Sequence, residues 1–273
     1  MAATIGGMGT IIGTPANAIA VGALEHAGIH IGFIDWIKYG VPISILLTAI
    51  SSHVLIKIYI KDILPLSLDF IKKQNSDLPG SILYQRRIVM IVTLVTVALW
   101  LTTSIHGLTV ASVCAVPLVF LTLLGVLDSK DIQRLPWDTL LLVAGGLSLG
   151  ISLEQTGLLN YYSQKLIIMD INFVLLIFIF GFLTMILSNI MSNTAASTVM
   201  IPLGMAILVG FKTEVALTIA LSSSTAIFLP VSTPPNAIAY STGLLEQKDF
   251  RIGGILIGLL GPLFAILWVL LIS

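Results

Sequence analysis

This sequence predicts an all-α polytopic membrane protein, and three observations carry the prediction. Of the 273 residues, 57% are apolar and only 10% charged, with a mean hydropathy of +1.06, outside the range of soluble globular domains. The charges are clustered: no Asp, Glu, Lys or Arg occurs in residues 88–127, 139–153, 171–211 or 215–245, or after Arg251. Each window holds a bilayer-crossing helix or a large part of one. Finally, if successive helices alternate in direction, ten of the thirteen basic residues fall on one side of the membrane, as the positive-inside rule requires.

The elements follow in order. Residues 1–12 end one helix, 14–17 break it and 18–28 resume it; a long helix covers 37–60. A polar loop with Lys72, Lys73, Arg86 and Arg87 follows, and further helices cover 88–104, 108–127 and 139–153. The amphipathic run "LEQTGLLNYYSQKL" suits a helix lying at the interface. Helices over 171–190 and 195–210 flank "SNT". A helix over 215–229 leads into a second break at 231–236, 237–245 resumes, and 252–272 closes the chain. The basic loop sets the cytoplasmic side, together with Lys57, Lys61, Lys130, Arg134, Lys248 and Arg251, leaving Lys38, Lys165 and Lys212 outside. Trp36, Trp100, Trp137 and Trp268 fall near span ends, where an aromatic belt is expected.

Several functions are excluded. The net charge is zero and no basic tract points to nucleic acid. One cysteine, Cys114, and four scattered histidines have no metal-ligand spacing, and His53 and His106 read as packing or interfacial residues. The N-terminus does not read as a signal peptide, because it lacks a basic region and carries Gly6, Gly7, Gly9 and Gly13. Glycine-rich "LLLVAGGLSLG" lacks the strand–turn–helix setting of a nucleotide loop and reads as close helix packing. No nucleophile–base pair is readable, so the chain is not an enzyme, and no organic cofactor is expected.

The heptapeptide Thr-Pro-x-Asn-Ala-Ile-Ala occurs twice, at residues 14–20 and 233–239. Proline removes an amide donor and restricts the preceding residue. The freed backbone groups cannot face lipid, so each break is buried in protein or lines a wet cavity. By alternation the helix after the first break runs outward and the helix after the second runs inward. Paired broken helices of opposite direction mark a secondary transporter built from inverted repeats. Unwound carbonyls there coordinate a cation, and the resumed half-helix points its amides at an anion. Asn17 and Asn236, each two residues after a proline, are placed to cap those half-helices or to contact ligand.

"SNIMSNTAAST" holds seven hydroxyl or amide side chains: Ser188, Asn189, Ser192, Asn193, Thr194, Ser197 and Thr198. Back-bonding to the preceding turn accounts for Ser197 and Thr198; the Ser192-Asn193-Thr194 tip reads as a re-entrant hairpin, although two full spans give the same parity. No Asp, Glu, Lys or Arg lies mid-span, which argues against a carboxylate proton relay and leaves no arginine clamp for an anion. Neutral oxygens suit sodium, whose charge would then attract an anion.

These motifs resemble the divalent anion:sodium symporter family, the INDY-type di- and tricarboxylate transporters. "SNT" followed by "STPPNAIAYSTG" resembles the second repeat, "GGMGTIIGTPANAIA" the first, with Ala16 in place of a second proline, and "PWDTLLLVAGGLSLG" also fits. The resemblance implies an elevator-type carrier, homodimeric when complete, that moves C4-dicarboxylates with several sodium ions in the bacterial inner membrane. It implies sodium ligation by Ser188, Asn193 and carbonyls near Met191 and Ser232, with a Gly13 carbonyl at another sodium site. Substrate carboxylates would meet Ser192, Asn193, Thr194, Thr233 and Pro234, with Thr14 and Pro15 from the other half.

The family carries two SNT hairpins. Asn193 precedes Asn236 by 43 residues, so the counterpart for Asn17 would fall near position −26 (17 − 43). The expected organisation is therefore a C-terminal portion with a truncated first repeat, its partner being a missing N-terminal half. A remnant of that repeat occupies 1–60 and a cytoplasmic loop 61–87. Scaffold spans with the interfacial helix fill 88–170, and a transport region 171–273. The alternatives are a transport-inactive fragment, one half of a split carrier, a channel, or a sodium-independent dicarboxylate exchanger.

Overall fold

Residues 1–59, 80–135, 137–157, 161 and 172–273 are described by a computed structural model of the chain. Residues 61–79 of the expected loop, and most of the expected interfacial helix, lie outside the described residues. Every regular element among the described residues is helical. In chain order these are α1 (Ala2–Gly6), α2 (Pro15–His26), α3 (Phe33–Tyr59), α4 (Gly80–Leu101), α5 (Thr103–His106), α6 (Val110–Leu123), α7 (Ser129–Gln133) and α8 (Trp137–Gln155). Then come α9 (Phe173–Ile190), α10 (Asn193–Ile207), α11 (Lys212–Ser223), α12 (Pro234–Ser241) and α13 (Gln247–Ile272). Single 3-10 turns at Gly7–Gly9, Val209–Phe211 and Pro230–Ser232 punctuate them. Helices α3, α9 and α13 and residues Ile82–Leu101 are long and apolar enough to cross a membrane.

Helix bounds differ from the sequence expectation in instructive ways. α4 starts at Gly80 rather than residue 88, and α13 at Gln247 rather than 252. Charge limits how much of a helix lies in lipid, not where the helix begins; a reciprocal capping box between Glu246 and Asp249 starts α13 in its charged stretch. α6 spans 14 residues rather than 20, because Thr109 caps it, accepting from Ser112 N, and the chain turns at Gly125 with φ of +66°. Both prolines of the repeated motif begin a helix instead of sitting inside a break. Pro15 and Pro234 occupy the first helical position, where a missing N–H costs nothing. α11 stops at Ser223 rather than 229: Ser223 and Thr225 hydroxyls donate back to the carbonyls of Ala220 (2.8 Å) and Ser222 (2.6 Å), ending the helix by local bonding.

The described residues form two compact units, one of residues 1–31, 35–59 and 138–273, the other of 32–34 and the described part of 60–137. In the smaller, α4 packs on α6, Phe33 stacks on Trp100 at 5.4 Å, and the Trp100 indole donates to Val110 O at 3.2 Å. His106 is structural as expected, its ring bonded to Leu99 O and Leu108 N.

In the larger unit α11 is the central helix. Residues Val215 to Ser223 are all buried, and α2, α9, α10 and α13 pack around them. Glycines set the approach of α13. Gly254, Gly258 and Gly261 recur at helical spacing and face Phe228, Met185 and Thr225, so the last helix lies against the second break and α9. Gly146 similarly lies against Thr198 of α10, which bears out the packing role expected of that segment at this position. Pro42 deprives the Lys38 carbonyl of its helical donor, and the Trp268 indole supplies one at 3.1 Å. Trp36 is fully buried and donates to Met8 O at 2.9 Å. Trp36 and Trp100 are thus core residues, not members of an interfacial belt: each indole N–H is committed to a backbone carbonyl inside its own unit.

Candidate functional site

The two copies of the heptapeptide adopt one backbone. Thr14 (φ −143°, ψ 149°) and Thr233 (φ −139°, ψ 145°) are both extended N-cap residues, and neither side chain bonds its own helix. Asn17 and Asn236 are therefore not the caps. Fully buried Asn17 reaches back instead, its Nδ2 donating to Gly7 O (3.0 Å) and Thr10 O (2.8 Å), which closes the break by satisfying unwound carbonyls. The fold-back brings Gly7 and Gly13 together so closely that a Cβ on Gly13 would strike the Gly7 carbonyl. Only glycine fits there.

The two breaks meet. α1, before the first break, packs on α12, after the second; α2, after the first, packs on α11, before the second. That crossed pairing requires the broken helices to run antiparallel. At the crossing Thr4 Oγ1 lies 3.1 Å from Thr233 Oγ1, and the Met1 nitrogen donates to Asn236 Oδ1 at 3.2 Å.

The hairpin joins them. Between α9 and α10 only Met191 and Ser192 are non-helical, and Ser192 Oγ caps α10 by accepting from Ala195 N at 3.1 Å. α9 contacts the turn Pro230–Ser232, and α10 packs on α2. Asn189 Oδ1 accepts the Phe228 N–H at 3.0 Å, while its Nδ2 donates to Met185 O; this side chain therefore ties the hairpin to the second break. Beyond Leu208 the chain bends by 115° from α10 into the following helical segment. Ser192, Gly13, Pro15 and Pro234 are exposed, whereas Ser188, Thr194, Ser232 and Thr233 are buried.

The electrostatics are those of neutral dipoles. Among the described residues no cluster of His, Cys, Asp and Glu could hold a metal. Buried polar atoms without a partner are instead numerous: Thr14 Oγ1, Asn17 Oδ1, Ser188 Oγ, Asn193 Oδ1, Ser197 Oγ, Thr218 Oγ1, Ser222 Oγ and Asn236 Nδ2. Leaving such an atom unpaired costs about 1–3 kcal/mol, so each of them calls for a partner, and a bound ligand is one. Ser188 and Asn193 are among the expected sodium ligands and Thr14 among the expected substrate contacts. Thr198 behaves as expected, back-bonding to Thr194 O at 2.8 Å, but its neighbour Ser197 does not. Thr218, Ser222 and the structural role of Asn189 were not anticipated. The run Ser222–Thr225 with Thr218 one turn earlier, inside a charge-free window, was the available signal for the first two.

The sodium:sulfate symporter transmembrane region family matches residues 1–273. The sodium-dependent dicarboxylate transporter SdcS of Staphylococcus saprophyticus is 31% identical over 296 residues, covering 97% of this chain and 56% of that protein. SdcS of Staphylococcus aureus is 27% identical over 292 residues, with the same coverage. An uncharacterized transporter of Methanocaldococcus jannaschii is 33% identical over 260 residues, covering 93% of this chain and 58% of its own length. The chain thus spans a little over half the length of these relatives. With every residue inside the family match, the chain belongs to the sodium:sulfate symporter family, the divalent anion:sodium symporters.

Proposed function

We propose that this chain forms the site-bearing part of a sodium-coupled symporter of C4-dicarboxylates of the succinate, malate and fumarate class. The observation that carries the reading is the antiparallel pairing of the two broken helices, α1 on α12 and α2 on α11, with the α9–α10 hairpin packed beside them. The donor set fits sodium: Ser188 Oγ and Asn193 Oδ1 are buried oxygens without partners, and a small hard cation is held by neutral oxygens. In this reading the carbonyls of Met191 and Ser232 complete that site, and the Gly13 carbonyl serves a second ion. Substrate carboxylates meet the Ser192-Asn193-Thr194 tip, with Thr233 and Pro234 at the start of α12 and Thr14 and Pro15 at the start of α2.

Coupling follows from charge. The chain has no Lys or Arg inside the hairpin or the breaks, so only neutral dipoles, the half-helix amides that the prolines leave and the hydroxyl and amide side chains, face a divalent anion. Bound sodium supplies the missing positive charge, and each ligand then raises the affinity of the other. The relatives named as sodium-dependent dicarboxylate transporters support this substrate class over sulfate. The test is uptake of labelled succinate by proteoliposomes containing the complete carrier assembled with this chain, driven by an inward sodium gradient. Uptake abolished by replacing sodium with choline, and competed by malate but not by sulfate, is the expected result. Uptake indifferent to sodium contradicts the symport reading, and competition by sulfate alone contradicts the substrate class.

A further inference from the structure

We propose that Thr4 is a positioning residue that directs the Thr233 hydroxyl proton toward a carboxylate of the bound dicarboxylate. The proposal rests on the functional reading above, in which Thr233 contacts substrate. Thr4 and Thr233 are 5% and 2% exposed, and their hydroxyl oxygens lie 3.1 Å apart, with either able to donate. Thr233 is the N-cap of α12 yet makes no capping bond with its side chain, so nothing in its own helix fixes that hydroxyl. A carboxylate only accepts hydrogen bonds. When one binds, Thr233 must donate to it, and Thr4 must donate to Thr233. The ligand thus sets the direction of a two-hydroxyl relay, and Thr4 keeps Thr233 Oγ1 satisfied while its proton is used outward.

The contact belongs to one break only. The two motifs are offset by 219 residues (233 − 14), which makes Ser223 the counterpart of Thr4 (4 + 219). Ser223 Oγ instead donates to Ala220 O at 2.8 Å, and Thr14 Oγ1 has no partner.

The experiment measures the succinate concentration giving half-maximal thermal stabilisation of the purified chain in saturating sodium chloride. Thr4→Val should raise that concentration about five-fold, the equivalent of one hydrogen bond. Thr4→Ser should stay within about two-fold of the unsubstituted chain, and the sodium concentration for half-maximal stabilisation should be unchanged in both. In a Thr233→Val background, Thr4→Val should add nothing, because the relay is already cut. Thr4→Ser as weak as Thr4→Val, or effects that add across the two sites, would overturn the positioning role. A parent chain that succinate does not stabilise would overturn the functional reading together with the role that rests on it. The contact itself is checked without substrate: Thr4→Cys with Thr233→Cys, in a Cys114→Ala background, should form an intrachain disulfide under copper phenanthroline. Two thiols that stay maleimide-reactive would overturn the juxtaposition.

Discussion

The first and second breaks share a heptapeptide and a backbone, yet they leave different polar atoms unpaired. At the first, Asn17 spends its amide hydrogens on Gly7 O and Thr10 O and leaves Oδ1 buried and unpaired, beside an unpaired Thr14 Oγ1. At the second, Asn236 uses Oδ1 and leaves Nδ2 unpaired, while Thr233 is bonded to Thr4. The partners fix both amide orientations, since each accepts only one assignment of oxygen and nitrogen. One break therefore leaves an amide oxygen and a hydroxyl unpaired, the other an amide N–H. Repetition of sequence sets the backbone; the neighbours decide which polar atom remains for a ligand. Support differs too. The first break is held by its own side chain and two glycines, the second by Asn189 of the hairpin and the glycine face of α13.

Five substitutions sharpen or break this contrast, all read as stability in mixed micelles titrated with denaturing detergent. Asn17→Leu strips donors from two carbonyls in a buried fold-back and should cost about 2–5 kcal/mol; Asn236→Leu removes a single accepted bond and should cost about 1 kcal/mol. Equal losses would erase the asymmetry. Next, Gly13→Ala drives a Cβ into the Gly7 backbone and should cost about 1–3 kcal/mol. A smaller loss, about 1–2 kcal/mol, is expected for Asn189→Ala, which orphans the Phe228 N–H. Its signature is faster proteolysis near the second break with the first unaffected. Smallest is Ser232→Ala, the positional counterpart of the Gly13 change, where only the bond to Leu229 O is lost and less than about 1 kcal/mol is expected. A Ser232→Ala loss matching that of Gly13→Ala would mean that glycine is not specially required at the first break.

Much of this arrangement is legible in the sequence because it rests on local chemistry. The doubled Thr-Pro-x-Asn marks both breaks, the SNT tip marks the hairpin, and charge-free windows mark the apolar helices. Helix ends were less legible, since proline reads as a breaker but serves as a first helical residue, and hydroxyls at 223–225 end α11 by bonds that hydropathy does not register. Thr4 and Asn189 were legible only as polar residues. Their partners lie 229 and 39 residues away, and a single sequence does not carry that pairing. Trp36 and Trp100 erred for the same reason: position near a span end does not say whether a tryptophan faces lipid or a carbonyl.

The most direct test of the account is a sodium titration of the purified chain's thermal stability, with choline chloride holding ionic strength constant. If the unpaired oxygens of Ser188 and Asn193 ligate sodium, the chain gains stability as sodium rises, by about 2.7 kcal/mol at a hundred-fold excess over Kd. Asn193→Ala then loses that gain while keeping its fold. Equal stabilisation by choline, or an undiminished sodium response in Asn193→Ala, would contradict it.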